Sequence, residues 1–152
     1  RWSEITSQIT VTPENGDYYV TTSEDLLNAL DTAKAKEHRV SDVQKSLKAL
    51  VAELDGWIEH FKSHIDKAFL TPRDGGLLFL VETKEIAYND DIEDSLIAME
   101  IKIAKNATIS DRFHVATLAI PQVDEDHRKT FLSQKWVLEC TQLPGSNGSK
   151  QR

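Results

Sequence analysis

With 152 residues, a formal net charge of −7 and an isoelectric point near 5.2, the chain lacks the basic surplus that phosphate binding draws on. That argues against a nucleic-acid surface. Its 39% hydrophobic and 28% charged residues are ordinary for a globular protein, and no apolar run approaches the ~18–20 residues of a membrane span.

A chain of this length buries about 68–70% of its unfolded surface, so one domain can hold a core without a disulfide or a metal. Cys140 is the only cysteine, which rules out an internal disulfide and favours a reducing, cytoplasmic setting. The chain opens on Arg1 rather than methionine, as expected if an upstream segment was removed or left out.

Ile9 to Thr12 and Tyr18 to Thr21 read as two β-rich stretches around Pro13-Glu14-Asn15-Gly16-Asp17, and Asn-Gly suits a tight hairpin turn. Ser23 then resembles an N-cap, with Glu24 and Asp25 complementing the helix dipole. Leu26, Leu27, Leu30 and Ala33 give this first helix an apolar face.

Ser41-Asp42-Val43-Gln44 has the form of a capping box and opens a second helix. Val43, Leu47, Leu50, Leu54, Trp57, Phe61, His64 and Ala68 follow at steps of four and three, a 3.5-residue repeat. The pattern predicts one helix over about 41–70, roughly 43 Å long at about 1.5 Å per residue. The short link to the first helix implies an antiparallel helical hairpin. Gly56 either admits a close neighbour or softens the helix, and Pro72 with Gly75-Gly76 ends it.

Leu77 to Val81 is a continuous apolar run, as in a strand buried on both faces. Asp90 and Glu93 form a second capping box, ahead of Ile92, Leu96, Met99 and Ile103 at helical spacing. Ile97 and Ile101 widen that stripe, which predicts a well-buried helix. Phe113 to Ile120 is the next strand, closing a parallel βαβ unit over 77–120. Asp124 caps a further short helix ending near Gln134, and 136–140 extends it or forms a last strand. Residues 144–152 have the composition of a disordered tail. The fold class is therefore α+β: a single domain over 1–143 with an N-terminal β-hairpin, a helical hairpin and a small mixed sheet. Its core should join Leu47, Leu50, Leu54, Trp57 and Phe61 to Leu78, Leu80, Leu96, Met99, Ile103, Val115 and Leu118.

Chemistry-bearing patterns are few. His60 and His64 stand four apart on the second helix, a metal-ligand spacing, though further ligands would have to come from another element such as Asp124, Asp126 or His127. Asp74, Glu82 and Lys84 follow the order of a metal-dependent nuclease, in which two carboxylates hold a divalent ion and a lysine positions water. Here an extra residue separates Pro72 from Asp74, and the acidic charge suits DNA poorly. Asp90, Asp91, Glu93 and Asp94 need no ligand beyond the helix dipole, although they offer an acidic patch to a basic partner. Glycine-rich dinucleotide loops, phosphate-binding lysine loops, CxxC pairs and Gly-x-Ser-x-Gly elbows are absent from the sequence.

No cofactor is implied. The function expected from these features is a non-catalytic, bacterial-type cytoplasmic interaction or accessory module, acting on a protein partner through a helix face or a sheet edge. Val51, Ile58 and Ile65 form a second apolar line beside the heptad stripe. One line could pack internally while the other meets a partner or a second subunit, giving a homodimer; alternatively the sheet and the first helix cover both. The alternatives from other classes are a divalent-metal hydrolase using Asp74, Glu82 and Lys84, and a small-ligand sensor lined by Trp57, Phe61, Phe79 and His114.

Overall fold

The computed structural model describes residues 2–5, 9–11, 16–30, 38–84, 89–122 and 124–140. In chain order the elements are β1 (Trp2–Glu4), β2 (Ile9–Val11), α1 (Gly16–Leu30), α2 (Val40–Phe61), β3 (Ile65–Arg73) and β4 (Gly76–Thr83). They continue with α3 (Asp90–Ala104), α4 (Ala107–Ser110), β5 (Val115–Ile120), α5 (Glu125–Lys129) and β6 (Leu138–Cys140). The architecture is α+β, and no helix among the described residues is long and apolar enough to cross a membrane. The tail beyond Cys140 lies outside the described residues.

The strands form one mixed sheet in the order β2-β1-β6-β3-β4-β5. Every pairing is antiparallel except β4–β5, which runs parallel across the expected βαβ connection. Alternation along the strands divides the core in two. Leu77, Phe79 and Val81 of β4 join Ala68 and Leu70 of β3 beneath α1, α2 and α3. Leu78 and Leu80 point the other way, with Phe69 and Val137, under Phe131 and Leu132 of the segment around α5. The expected core is therefore real in membership, but Leu78, Leu80 and half-buried Leu118 belong to the far face.

Three indoles tie the layers together, each N–H donating to a different element. Trp2 Nε1 donates to Asp55 Oδ1 at 2.6 Å, Trp57 Nε1 to Ser95 Oγ at 2.9 Å, and Trp136 Nε1 to the Thr22 carbonyl at 3.2 Å.

The long helix is shorter than the heptads imply. α2 stops at Phe61, a short 3₁₀ turn spans Lys62–His64, and Ile65 begins β3. Ala68, Phe69, Leu70 and Thr71 are all buried, which a helix with one apolar stripe cannot achieve but a central strand can. His64, assigned to the stripe, is exposed. Asp74 and Gly75, with φ of 54° and 80°, form the two-residue turn of the β3–β4 hairpin, so Arg73 faces Gly76. Positive φ at both central residues is the mark of a type I′ turn, for which Asp-Gly is a favoured sequence. Between Ile65 and Lys67 the ladder slips, two residues of β3 opposing one of β4. That bulge restores Ile65 to the helix-covered face.

Other boundaries move as well. Tyr18 to Thr21 lies inside α1, so the N-terminal pairing is β1 with β2, and Ser23 is buried in the helix rather than capping it. The N-cap of α2 is Arg39, without a side-chain hydrogen bond, because Val40 is already helical and Ser41 falls within the first turn. Asn89 takes the role expected of Asp90: its Oδ1 accepts from Asp91 N at 3.0 Å and Ile92 N at 3.2 Å. α2 passes unbroken through Gly56, where an added Cβ would meet no atom within 4 Å. Asp124 does cap α5, accepting from His127 N at 2.8 Å, but the helix ends at Lys129 rather than near Gln134. Residues 138–140 are a strand.

Candidate interaction edge

The residues singled out for metal chemistry are not brought together. Asp74 sits exposed in the hairpin turn, whereas Glu82 lies near the other end of β4, roughly 20 Å away at ~3.3 Å per residue. Glu82 is committed elsewhere: its side chain, 2% exposed, accepts from Arg128 Nε at 2.7 Å and from a second guanidinium nitrogen at 3.4 Å. Lys84 is exposed beyond the strand end. His60 closes α2 with its ring edge against Phe61, and His64 lies in the 3₁₀ turn, both exposed. Among the described residues no three His, Cys, Asp or Glu side chains cluster at metal-binding distance.

The second apolar line is covered internally. Val51 and Ile58 on α2 and Ile65 on β3 are all buried in the helix-side core cluster. The aromatic pocket is likewise filled. Trp57 meets Phe79 edge-on at 5.6 Å and stacks on Phe61 at 4.9 Å, while His114 is exposed at the start of β5. Cys140 is buried.

Arg128, which no sequence signal picked out, organises the far face. Its guanidinium lies 5.6 Å from the Phe69 ring centroid while pairing with Glu82. The Glu82 hydrogen bond raises the Arg128 pKa above its ordinary value, against the lowering effect of burial. Beside it opens a cavity of about 490 Å³ lined by Lys67, Phe69, Arg128, Leu132, Val137 and Glu139. Burial pushes the Glu139 carboxyl above its usual range, with Lys67 and then Arg128 pulling it back.

A second feature lies at the end of the sheet. β5 carries no charged residue, and among the described residues its outer edge has no strand neighbour. The flanks of α3 show how that edge is framed. Ser95 and Lys102 mark the side turned to α2, through Trp57 and Glu53. Glu100 marks the opposite side, where its Oε2 accepts from Thr117 N at 3.0 Å and Thr117 Oγ1 at 2.5 Å. Since a residue's N–H and C=O point to the same side of a strand, Thr117 faces outward and Glu100 occupies its edge amide.

Ile97 and Ile101 follow at helical spacing on the side of α3 away from α2, 55% and 51% exposed. They widen the apolar stripe as expected but are not buried. The fully buried set is Ile92, Leu96, Met99 and Ile103. Two cavities flank the edge strand. One of about 260 Å³ lies on the helix side, among Glu100, Ile101, Ala104, Phe113 and Val115. The other, about 310 Å³, lies on the far face among Arg73, Leu78, His114, Ala116 and Leu118.

No family model matches the sequence, and neither a curated protein nor a solved structure matches the chain. The reading of function therefore rests on the geometry of this molecule.

Proposed function

We propose that the chain is a non-catalytic protein-interaction module whose working surface is the outer edge of β5 together with the neighbouring flank of α3. One observation carries this reading: two isoleucines more than half exposed, Ile97 and Ile101, stand beside an uncharged edge strand. An edge strand turns N–H and C=O groups outward, which an extended segment can complete once Glu100 releases the Thr117 amide. The flanking cavities would receive its alternate side chains, one set towards α3 and the other towards Leu78 and Leu118. A net charge of −7 suits a protein partner better than nucleic acid, and a single buried thiol suits a reducing compartment such as the cytoplasm.

Selection of short random peptides on the wild-type chain, counter-selected on an Ile97→Glu/Ile101→Glu variant, tests this. Enrichment of apolar, β-branched peptides that bind only the wild type supports the reading. Equal binding to both proteins would refute it.

A second reading, small-ligand sensing, is favoured by the far-face cavity, which combines apolar walls with Lys67, Arg128 and Glu139. Small amphipathic carboxylates and amino acids are its natural probes. A thermal upshift that Lys67→Ala and Glu139→Gln each reduce would support it.

A further inference from the structure

We infer that the far-face cavity is a site for a free α-amino acid with a bulky apolar side chain, its carboxylate held by Lys67 and its ammonium by Glu139; this rests on the second reading, in which the cavity takes a small ligand.

The sheet sets the two charged groups on one surface. Phe69 of β3 stands directly opposite Glu139 of β6, so both share the far face. Lys67 lies two residues before Phe69 on the same strand and therefore on the same face. Lys67 and Glu139 are thus diagonal neighbours, a relation that separates two backbones by about 7–8 Å. All three side chains line the cavity of about 490 Å³.

The other charges of the wall are already matched. Arg128 is held by Glu82 at 2.7 Å, and Lys129 reaches Glu125 at 3.9 Å. Among the described residues, Lys67 and Glu139 make no side-chain hydrogen bond or close ion pair, although each lies in the other's field. One cation and one anion remain, both half-buried. A simple anion would suit Lys67 and be repelled by Glu139, and a simple cation the reverse. A zwitterion suits both. An α-amino acid carries ammonium and carboxylate on a single carbon, so two charge-assisted hydrogen bonds of about 2.8 Å bridge the gap that the two side chains leave open. Burial holds the Glu139 carboxyl above its usual range and Lys67 only partly offsets this, so an ammonium would supply the counter-charge Glu139 lacks.

The walls select the rest of the ligand. Phe69 and Val137, both buried, and half-buried Leu132 give the cavity an apolar lining. Ile5 lines it as well, 41% exposed, fixed by its backbone N–H, which donates to the Val137 carbonyl at 3.0 Å. These surfaces match a leucine or phenylalanine side chain, and the volume falls within the roughly 300–1,000 Å³ of small-molecule sites.

Isothermal titration calorimetry of the purified chain provides the test. The probes are phenylalanine, phenylpropionate (no ammonium), phenethylamine (no carboxylate) and glycine (no side chain). Phenylalanine should bind, and each of the others should bind at least about tenfold more weakly. Glu139→Gln should weaken phenylalanine at least about tenfold while leaving phenylpropionate no weaker. Lys67→Met should weaken phenylalanine similarly while leaving phenethylamine no weaker. Each variant then ignores only the group its missing charge had held, a pattern that loss of folding cannot produce. Phenylpropionate or phenethylamine binding as tightly as phenylalanine would overturn the zwitterion but leave the small-ligand reading standing. Glycine binding as tightly would overturn the apolar side chain, and phenylalanine binding untouched by both variants would overturn this cavity as its place. No binding by any of the four at millimolar concentration would remove both the inference and the small-ligand reading.

Discussion

Replacing Arg128 with methionine isolates the ion pair that binds α5 to the sheet. Methionine keeps an unbranched apolar stem over Phe69 but removes the guanidinium that meets Glu82 at 2.7 Å and 3.4 Å. Glu82 is then a buried carboxylate, 2% exposed, without its counter-charge. Breaking a buried pair from one side typically costs about 3–5 kcal/mol, because the remaining charge cannot recover its hydration. For a chain of this size each kcal/mol moves the melting temperature by about 2–4 °C, so the midpoint should fall by roughly 6–20 °C. Urea unfolding at neutral pH, followed by tryptophan fluorescence, should show a lower midpoint with an unchanged slope. Adding Glu82→Leu should recover most of the loss, since an apolar replacement of both partners is often neutral or better. A penalty below about 1 kcal/mol for Arg128→Met would mean that the pair is solvated, and the account of the far face would be wrong.

The remaining predictions probe backbone and charge. Gly76→Ala should destabilise by about 1–3 kcal/mol, because its Cβ would collide with the His114 carbonyl that Leu77 N already uses at 2.8 Å; chemical denaturation will show this. Gly56→Ala should do the opposite and raise stability by up to about 1 kcal/mol, since the helical site is open and exposed. Glu139→Gln should change the pH dependence of unfolding. The folded-state pKa of Glu139 is raised by burial, so its contribution is present below its ordinary value and is lost as pH rises through the raised one. The variant should therefore gain on the wild type from acid to neutral pH, and parallel stability curves would contradict the burial argument.

Where the sequence could be read correctly, the determining interactions were local. α3 was legible because its buried positions recur at helical spacing and its first turn is acidic. β4 was legible because an apolar run fills both faces of a central strand. The parallel β4–β5 pairing followed from the element order alone. The misreading of 62–70 has a definite cause. His64 and Ala68 extend a heptad numerically, yet Ala68-Phe69-Leu70-Thr71 also suits a strand, and periodicity cannot arbitrate so short a run. The signal that could have decided it was Asp74-Gly75, a hairpin turn between two apolar runs, which fits a strand ending at Arg73 better than a helix ending nearby.

The candidate edge was legible only as a category. A sheet edge was anticipated, but not that it would be β5, nor that Glu100 would bond across to Thr117. Ile97 and Ile101 were visible as apolar residues, and their exposure was not. Arg128 gave no signal, because its partner lies 46 residues away along the chain.

Residue order thus determined the α+β class, the helix α3, the strands β4 and β5 and their parallel relation, since each depends on propensity and spacing within a short span. Tertiary structure decided where α2 yields to β3, which face of the sheet each leucine enters, and which apolar side chains remain in water. Those outcomes depend on non-local pairing: β6 against β3, α5 against Glu82, and the end of the sheet at β5. A strand's neighbour is selected by the free energy of the whole assembly, and that quantity has no signature in any one segment.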